Sequence, residues 1–205
     1  MRRFAVLGHR TDAHSTWSLN DLPGSGRADV LIRNVTAALL DSHGIRSDVE
    51  VILHLMAGAG TGRRLRINGS DLRGLQPDER SAAGLIMTAL SPPTPPRGRW
   101  VGVRPGLEVS SGGLAVTLDE WSNLGVTSCV LDAGGQPVGG LQVTEDMGFI
   151  LSDDRPFTED DHAVMAGLHR VSLGRRWMQG HASIHVIHHH LDVGSRMEGN
   201  PSGPG

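Results

Sequence analysis

Apolar positions along the chain fall into short runs and helical stripes that take turns. Phe4 to Leu7 is a first apolar run, read as a strand closed by Gly8. Asp29 to Ser42 carries Val30, Leu31, Val35, Ala38 and Leu39 on one helical face, with Gly44 as the stop. Glu50 to Met56 is almost unbroken apolar sequence, as a strand covered on both faces would be, and Leu65 to Ile67 reads as its short partner. Gln76-Pro77-Asp78-Glu79-Arg80 opens another helix: proline suits the first helical position, acids suit the positive end, and Ala82, Leu85, Ile86 and Leu90 make the stripe. Ser91 to Gly98, with four prolines, is a surface connection; Val101 to Val109 is extended around Pro105-Gly106, and Leu114, Leu118 and Trp121 mark a short helix.

The last third is more regular. Val126 to Leu131 reads as a strand broken by Ala133-Gly134-Gly135, and Phe149-Ile150-Leu151 as a strand ending at Ser152-Asp153. Thr158 with Asp161 is a capping box that starts a helix through Val164, Met165 and Leu168. Val171-Ser172-Leu173 is a short strand ending in Gly174; Ile184, Ile187 and Leu191 mark a final helix, and residues from Gly194 onward read as a frayed tail. Strands alternating with helices predict an α/β fold with a largely parallel sheet. In such a sheet the loops leaving the carboxyl ends of strands form the ligand crevice. Leu131, Ser152 and Leu173-Gly174, each followed by small or polar residues, are therefore the expected small-ligand site.

Composition narrows the chemistry. The 205 residues, 38% of them hydrophobic, suffice for one core. A net charge of -3 carries no overall basic grip on nucleic acid. All 19 basic residues are arginine and tyrosine is absent, which excludes lysine Schiff bases, a phosphate-loop lysine and phenol chemistry. The one cysteine, Cys129, cannot form an internal disulfide and is expected to be structural; the start of the chain lacks a signal-peptide core, and no apolar run is long enough to span a membrane. These features predict a cytoplasmic protein. Ala57-Gly58-Ala59-Gly60-Thr61-Gly62 has the wrong spacing for a dinucleotide fingerprint and reads as a turn. His181, His185, His188, His189 and His190 cluster near the end, without the further ligands of a native metal site. Arg27 with Asp29, and Asp78 with Glu79 and Arg80, stand at helix starts. Helix-end electrostatics alone accounts for them; presentation of an acid and an arginine to a substrate is the functional alternative.

Six segments occur in order: Arg27-Ala28-Asp29-Val30-Leu31, Gln76 to Ser81, Pro105 to Ser110, Phe149 to Asp153, Val171 to Gly174, and His188-His189-His190-Leu191-Asp192. Together they resemble the TrmY family, tRNA pseudouridine(54) N1-methyltransferases of the SPOUT superfamily. The resemblance implies one SPOUT domain over residues 1–194, a mostly parallel sheet with helices on both faces and a C-terminal deep trefoil knot, the knot and cofactor loops lying at about 125–194 and a flexible tail at 195–205. It also implies S-adenosylmethionine as cofactor, held by Leu131, Ser152, Leu173, Gly174, Arg175, Arg176, Trp177, Met178 and Ser183. On the substrate side it implies Asp78 and Asp29 as catalytic acceptors and Arg27 and Arg80 as RNA-binding groups. Partners would be tRNA or another structured RNA and a second copy of the chain, with no membrane. Trp100 or Trp177 could stack on an extruded base or serve packing. Departures fall at Asp154, Arg175 and His188 to His190. Methylation of ribosomal or other RNA, and cofactor or RNA binding without turnover, are the alternatives.

Overall fold

The computed structural model describes residues 1–197, and the chain alternates as its apolar pattern predicts. β1 (Arg2–Asp12) leads to α1 (Ala28–Leu39), a two-stranded ribbon β2 (Leu40–Asp41) and β3 (Gly44–Ile45), then β4 (Val49–Ala57) and β5 (Arg63–Asn68). α2 (Glu79–Met87), the hairpin β6 (Val101–Arg104) and β7 (Leu107–Ser111), and α3 (Leu114–Asn123) follow. β8 (Thr127–Pro137), β9 (Met147–Ser152), α4 (Glu159–Val164), β10 (His169–Ser172) and α5 (Gly180–Met197) complete the order.

All strands but the ribbon join one eight-stranded sheet, ordered β10-β8-β9-β1-β4-β5-β7-β6. From β10 to β4 neighbouring strands are parallel; β5, β7 and β6 extend the sheet antiparallel. The parallel strands are buried on both faces, and for that reason β1 and β9 read as unbroken apolar runs. One face carries a core of Leu31, Val35 and Ala38 of α1, Ala82 and Ile86 of α2, and Ile184, Ile187 and Leu191 of α5. The other carries Leu114 and Trp121 of α3 and Met165 beside α4.

Several boundaries differ from the sequence reading for physical reasons. β1 continues through Gly8, where a β-carbon would stand 2.9 Å from a Leu31 methyl; this glycine admits α1 to the sheet and does not end the strand. Gly134 and Gly135 likewise do not end β8. The strand swells there, so Arg170 pairs with Val130 and the next residue, Val171, with Gln136. The helix begun at Thr158 stops at Val164, short of Leu168, and Pro77 precedes the helix it was expected to open, because Asp78 caps α2. Residues 195–197 of the expected tail continue α5; residues 198–205 lie outside the described residues.

Candidate active site

Parallel strands send their carboxyl ends the same way, so the segments leaving β9 and β10 meet at one end of the sheet beside the part of β8 after Val130, where its pairing with β9 stops; Leu131, expected at a strand end, lies inside β8. There they enclose an open cavity of about 270 Å³. Leu131, Ser152, Leu173, Gly174, Arg176, Trp177, Met178 and Ser183, all singled out from sequence, line it; Arg175 is exposed beside it and does not. Leu151, Pro156 and Phe157 add apolar wall, and Asp132 and Asp153 add carboxylates. Gly174 has φ of 129°, a backbone conformation L side chains rarely adopt, and a β-carbon there would meet nothing within 4 Å. The main chain of residues 175–178 makes no hydrogen bond among the described residues. Apolar walls with free main-chain donors and acceptors fit an adenosyl group, whose flat ring wants burial and whose edge wants hydrogen bonds.

The carboxylates are themselves held. Asp132 is paired with Arg170 of β10 and accepts from Gly134 N–H at 2.8 Å. Its pKa falls below the ordinary range, first through the Gly134 bond and then through Arg170, against some burial. Asp153 lies under β1, where its Oδ2 accepts from His9 N–H at 2.7 Å and its Oδ1 stands 3.2 Å from His9 Nδ1. His9 Nε2 is 2.8 Å from Asp161 Oδ2. That oxygen also accepts from Thr158 N–H and Oγ at 2.8 and 2.7 Å, completing the capping box of α4.

Of the expected substrate residues, Arg27 and Asp29 belong to a separate ionic chain, and Asp78 and Arg80 stand beside its far end. Arg27 is the one non-glycine residue with positive φ, 63°, among the described residues. It donates to both oxygens of Asp29, at 3.0 and 3.2 Å, and to Asp154 at 2.8 Å. Asp29 also pairs with Arg33, whose Nε stands 3.5 Å from Glu79. Burial pushes the Asp29 carboxyl up, but bonds and charge from Arg27 and the charge of Arg33 outweigh it and hold the pKa low. The chain thus runs from the cavity rim at Asp154 to the start of α2. Asp78 stands at that start, exposed, accepting from Ser81 N–H at 2.8 Å; this bond lowers its pKa. Arg80 reaches back to Leu19 O and Asn20. None of Arg27, Asp29, Asp78 and Arg80 lines the cavity.

Trp100 is clasped between Arg64 and Arg66, whose guanidinium carbons lie 4.5 and 4.4 Å from its ring centroid, and its indole N–H points to Glu120. Trp177 is 83% exposed at the cavity rim. Cys129 is buried, and burial pushes its thiol up to about 11, which removes it as a nucleophile at neutral pH. Asp161 was read from sequence as the capping partner of Thr158, which it is, but its pairing with His9 escaped that reading: the two come from α4 and β1, and the pairing of β1 with β9 brings them together.

Comparisons with known proteins give the chain's family. The family model described as "Putative SAM-dependent RNA methyltransferase" matches residues 1–195. The chain is 40% identical over 197 residues to the tRNA (pseudouridine(54)-N(1))-methyltransferase of Haloarcula marismortui, covering 94% of this chain and 97% of that one. It is 36% identical over 197 residues to the enzyme of the same name from Methanocorpusculum labreanum, with the same coverages. Among solved structures, Nep1 of Archaeoglobus fulgidus bound to S-adenosylhomocysteine superposes with a TM-score of 0.65 at 13% identity, over 94% of this chain and 98% of that one, and shares its fold. With a family match through nearly its full length and such identity to two archaeal enzymes, the chain belongs to the family of S-adenosylmethionine-dependent RNA methyltransferases.

Proposed function

We propose that this chain methylates N1 of pseudouridine at position 54 of tRNA, the reaction named for its relatives, with S-adenosylmethionine seated in the cavity at the ends of β8, β9 and β10. The observation that carries the reading is the convergence of three separate segments on one cavity whose lining holds eight of the nine residues expected at the cofactor. When bound, S-adenosylmethionine supplies a methyl group on a positively charged sulfur, which leaves as a neutral thioether.

The protein's own work is alignment and exclusion of water. Leu131, Leu151, Leu173 and Phe157 form a dry wall, the main chain of 175–178 offers hydrogen bonds to a base edge, and Gly174 keeps that approach open. N1 of pseudouridine carries a proton that must leave. Asp78 is assigned as its acceptor, with Asp29 held ready behind Arg27. Both carboxyls titrate low, so they orient and polarise the N–H and are weak as free bases. Arg27 and Arg80 meet backbone phosphate, and Trp177, the exposed indole at the rim, stacks on the extruded base.

The same reading includes a trefoil knot in residues 125–194, within one domain of residues 1–194. Its support is that the chain leaves β10 at the sheet edge and returns as α5 against β1, where His188 meets Arg2 and Phe4, packed on α1. It includes a homodimer. The Ile184, Ile187 and Leu191 face is spent inside the chain, and the dimer rests on exposed Val164 of α4 and Val193 of α5. A tRNA substrate places the reaction in the cytoplasm; no helix among the described residues is long and apolar enough to cross a membrane.

The test is methyl transfer from labelled S-adenosylmethionine to tRNA transcripts bearing pseudouridine or uridine at position 54, with the product nucleoside identified by mass. N1-methylpseudouridine formed only on the pseudouridine transcript supports the reading. Methylation of ribosomal RNA alone, or binding without turnover, overturns it. Light scattering on the same preparation at about the monomer mass of 21.8 kDa removes the dimer.

A further inference from the structure

We propose that His9, bridged on both ring nitrogens by Asp153 and Asp161, is the positioning residue that fixes the cavity wall formed by residues 153–162. This rests on the reading of the cavity as the cofactor site.

The geometry is a clamp with two jaws. β9 ends level with Leu7 of β1, since Leu7 pairs with Ser152. Past Ser152 the Asp153 N–H still donates to Leu7 O at 3.0 Å, and the Asp153 carboxylate takes the place of a further ladder bond to His9. Its Oδ2 accepts from His9 N–H at 2.7 Å while its Oδ1 meets Nδ1 at 3.2 Å. Across the ring, Nε2 meets Asp161 at 2.8 Å. The side chains of His9, Asp153 and Asp161 are 8%, 1% and 5% exposed, so water does not compete for these bonds. Asp153 and Asp161 bracket a segment that supplies Asp153, Arg155, Pro156, Phe157 and His162 to the cavity. That segment contains no strand, and its short α4 spans only Glu159–Val164. It is fastened to β1 by Asp153 N–H donating to Leu7 O at 3.0 Å, by Arg10 donating to Asp154 at 3.2 Å, and by His9, which of these three reaches both Asp153 and Asp161.

Only the imidazolium has N–H on both nitrogens, so only the cation donates to both carboxylates. Neutral His9 would turn one lone pair toward a buried carboxylate and open one jaw. The other groups around the ring do not replace it. From β9, Ser152 Oγ lies 3.4 Å from Nδ1. From β4, which packs beside β1, His54 senses Asp161 but is kept neutral by burial. Arg10 and Arg27 are engaged by Asp154 at the rim. The bond to Asp153 leads the causes that raise the His9 pKa above its ordinary 6.5; burial opposes it, and Asp161 adds to the rise. The wall is therefore fastened below the raised pKa and loosens as pH rises through it.

The experiment follows three quantities on the full chain from about pH 6 to about pH 9: the His9 imidazole signal, hydrogen-exchange protection of amides in 153–162, and S-adenosylhomocysteine affinity by calorimetry. Protection should fall in step with His9 deprotonation, and affinity should fall about tenfold over the same range. By reciprocity the bound ligand should raise the His9 pKa by about one unit. His9→Gln, which keeps one donor without the charge, should bind about tenfold more weakly at low pH and lose the pH dependence of protection and affinity, and its melting temperature should fall most below the His9 pKa, where the wild-type ring is charged. Wild-type protection that stays flat while His9 titrates overturns the clamp, as does a His9→Gln protein with wild-type protection and affinity. If the variant does not fold, the wild-type titration alone decides. Protection that tracks His9 in a protein that binds no S-adenosylhomocysteine upholds the clamp and removes the cofactor reading.

Discussion

Glycine at position 135 shows how one missing side chain sets the site. A β-carbon there would stand 2.5 Å from the carbonyl carbon and 2.6 Å from the carbonyl oxygen of Arg170, and neither atom belongs to a flexible side chain. β10 can lie this close to the swollen part of β8 only because the residue is glycine. Read along the sequence, Gly134-Gly135 looked like a strand break, as Gly8 did; both mark close approach of a neighbouring element. Sequence signals a glycine but not what passes over it, and His9 was hidden for a similar reason, its partners lying 144 and 152 residues away. Gly135→Ala should prise β10 from β8, lowering stability by about 1–3 kcal/mol. S-adenosylhomocysteine should bind more weakly because Leu173 and Gly174 follow β10 directly. Gly139→Ala, with nothing within 4 Å, is the matched control. Urea unfolding and calorimetry check both, and a Gly135→Ala protein as stable as the control removes the close-approach argument.

At the scale of elements, the parallel half of the molecule was readable because its logic is local: an apolar run, then small or polar residues, then a helix stripe. Three strand ends named on that pattern converge on one cavity. The antiparallel extension was read in outline, Leu65 to Ile67 falling in β5 and Val101 to Val109 in the β6-β7 hairpin, but Arg63 and Arg64 hid the start of β5. Arg64 is wholly buried against Glu120, Thr117 and Ser110, a pairing across 46 to 56 residues that no local pattern reports. α2 tests the proposed catalysis most directly. Asp78 is its cap, and the structure accounts for that role completely through the bond from Ser81 N–H. Asn caps a helix as well as Asp. Asp78→Asn should thus leave the melting temperature and S-adenosylhomocysteine affinity near wild type, while turnover on tRNA falls about tenfold or more if the carboxylate receives the N1 proton. Steady-state kinetics beside a melting curve read both; unchanged turnover leaves Asp78 as a cap and nothing more.

At the scale of the whole molecule, buried histidines give pH responses of opposite sign. The histidine-rich end of the sequence suggested several imidazoles on one helical face; the fold turns His188 inward, 3% exposed. Its Nε2–H donates to Ala38 O at 3.0 Å and its Nδ1 accepts from Arg2 at 3.1 Å, so it ties α5 to α1 and β1 as a neutral ring. Burial, then the charges of Arg46 and Arg2, push its pKa down to about 4. His54, in the middle of the sheet, is pushed down to about 3 by burial and Arg64. For both, the unfolded chain takes up the proton first, near 6.5. Their stabilisation is complete above that pH and drains away as pH falls toward the folded values. His9 runs the other way: its raised pKa gives stabilisation that is full below about 6.5 and is lost as pH climbs through the folded value. Asp29, Asp153 and Asp161, held below their ordinary 3.8, release their share only at still lower pH. The melting temperature should accordingly begin to fall below about pH 6, well before Asp29, Asp153 or Asp161 protonates. It should fall more gently on the alkaline side, where His9 alone of the three lets go. His188→Gln can keep both the donor and the acceptor bond without a titrating ring, and should shallow the acid limb. A melting temperature level from neutrality down to about pH 4 would show that neither buried imidazole is held neutral by the fold.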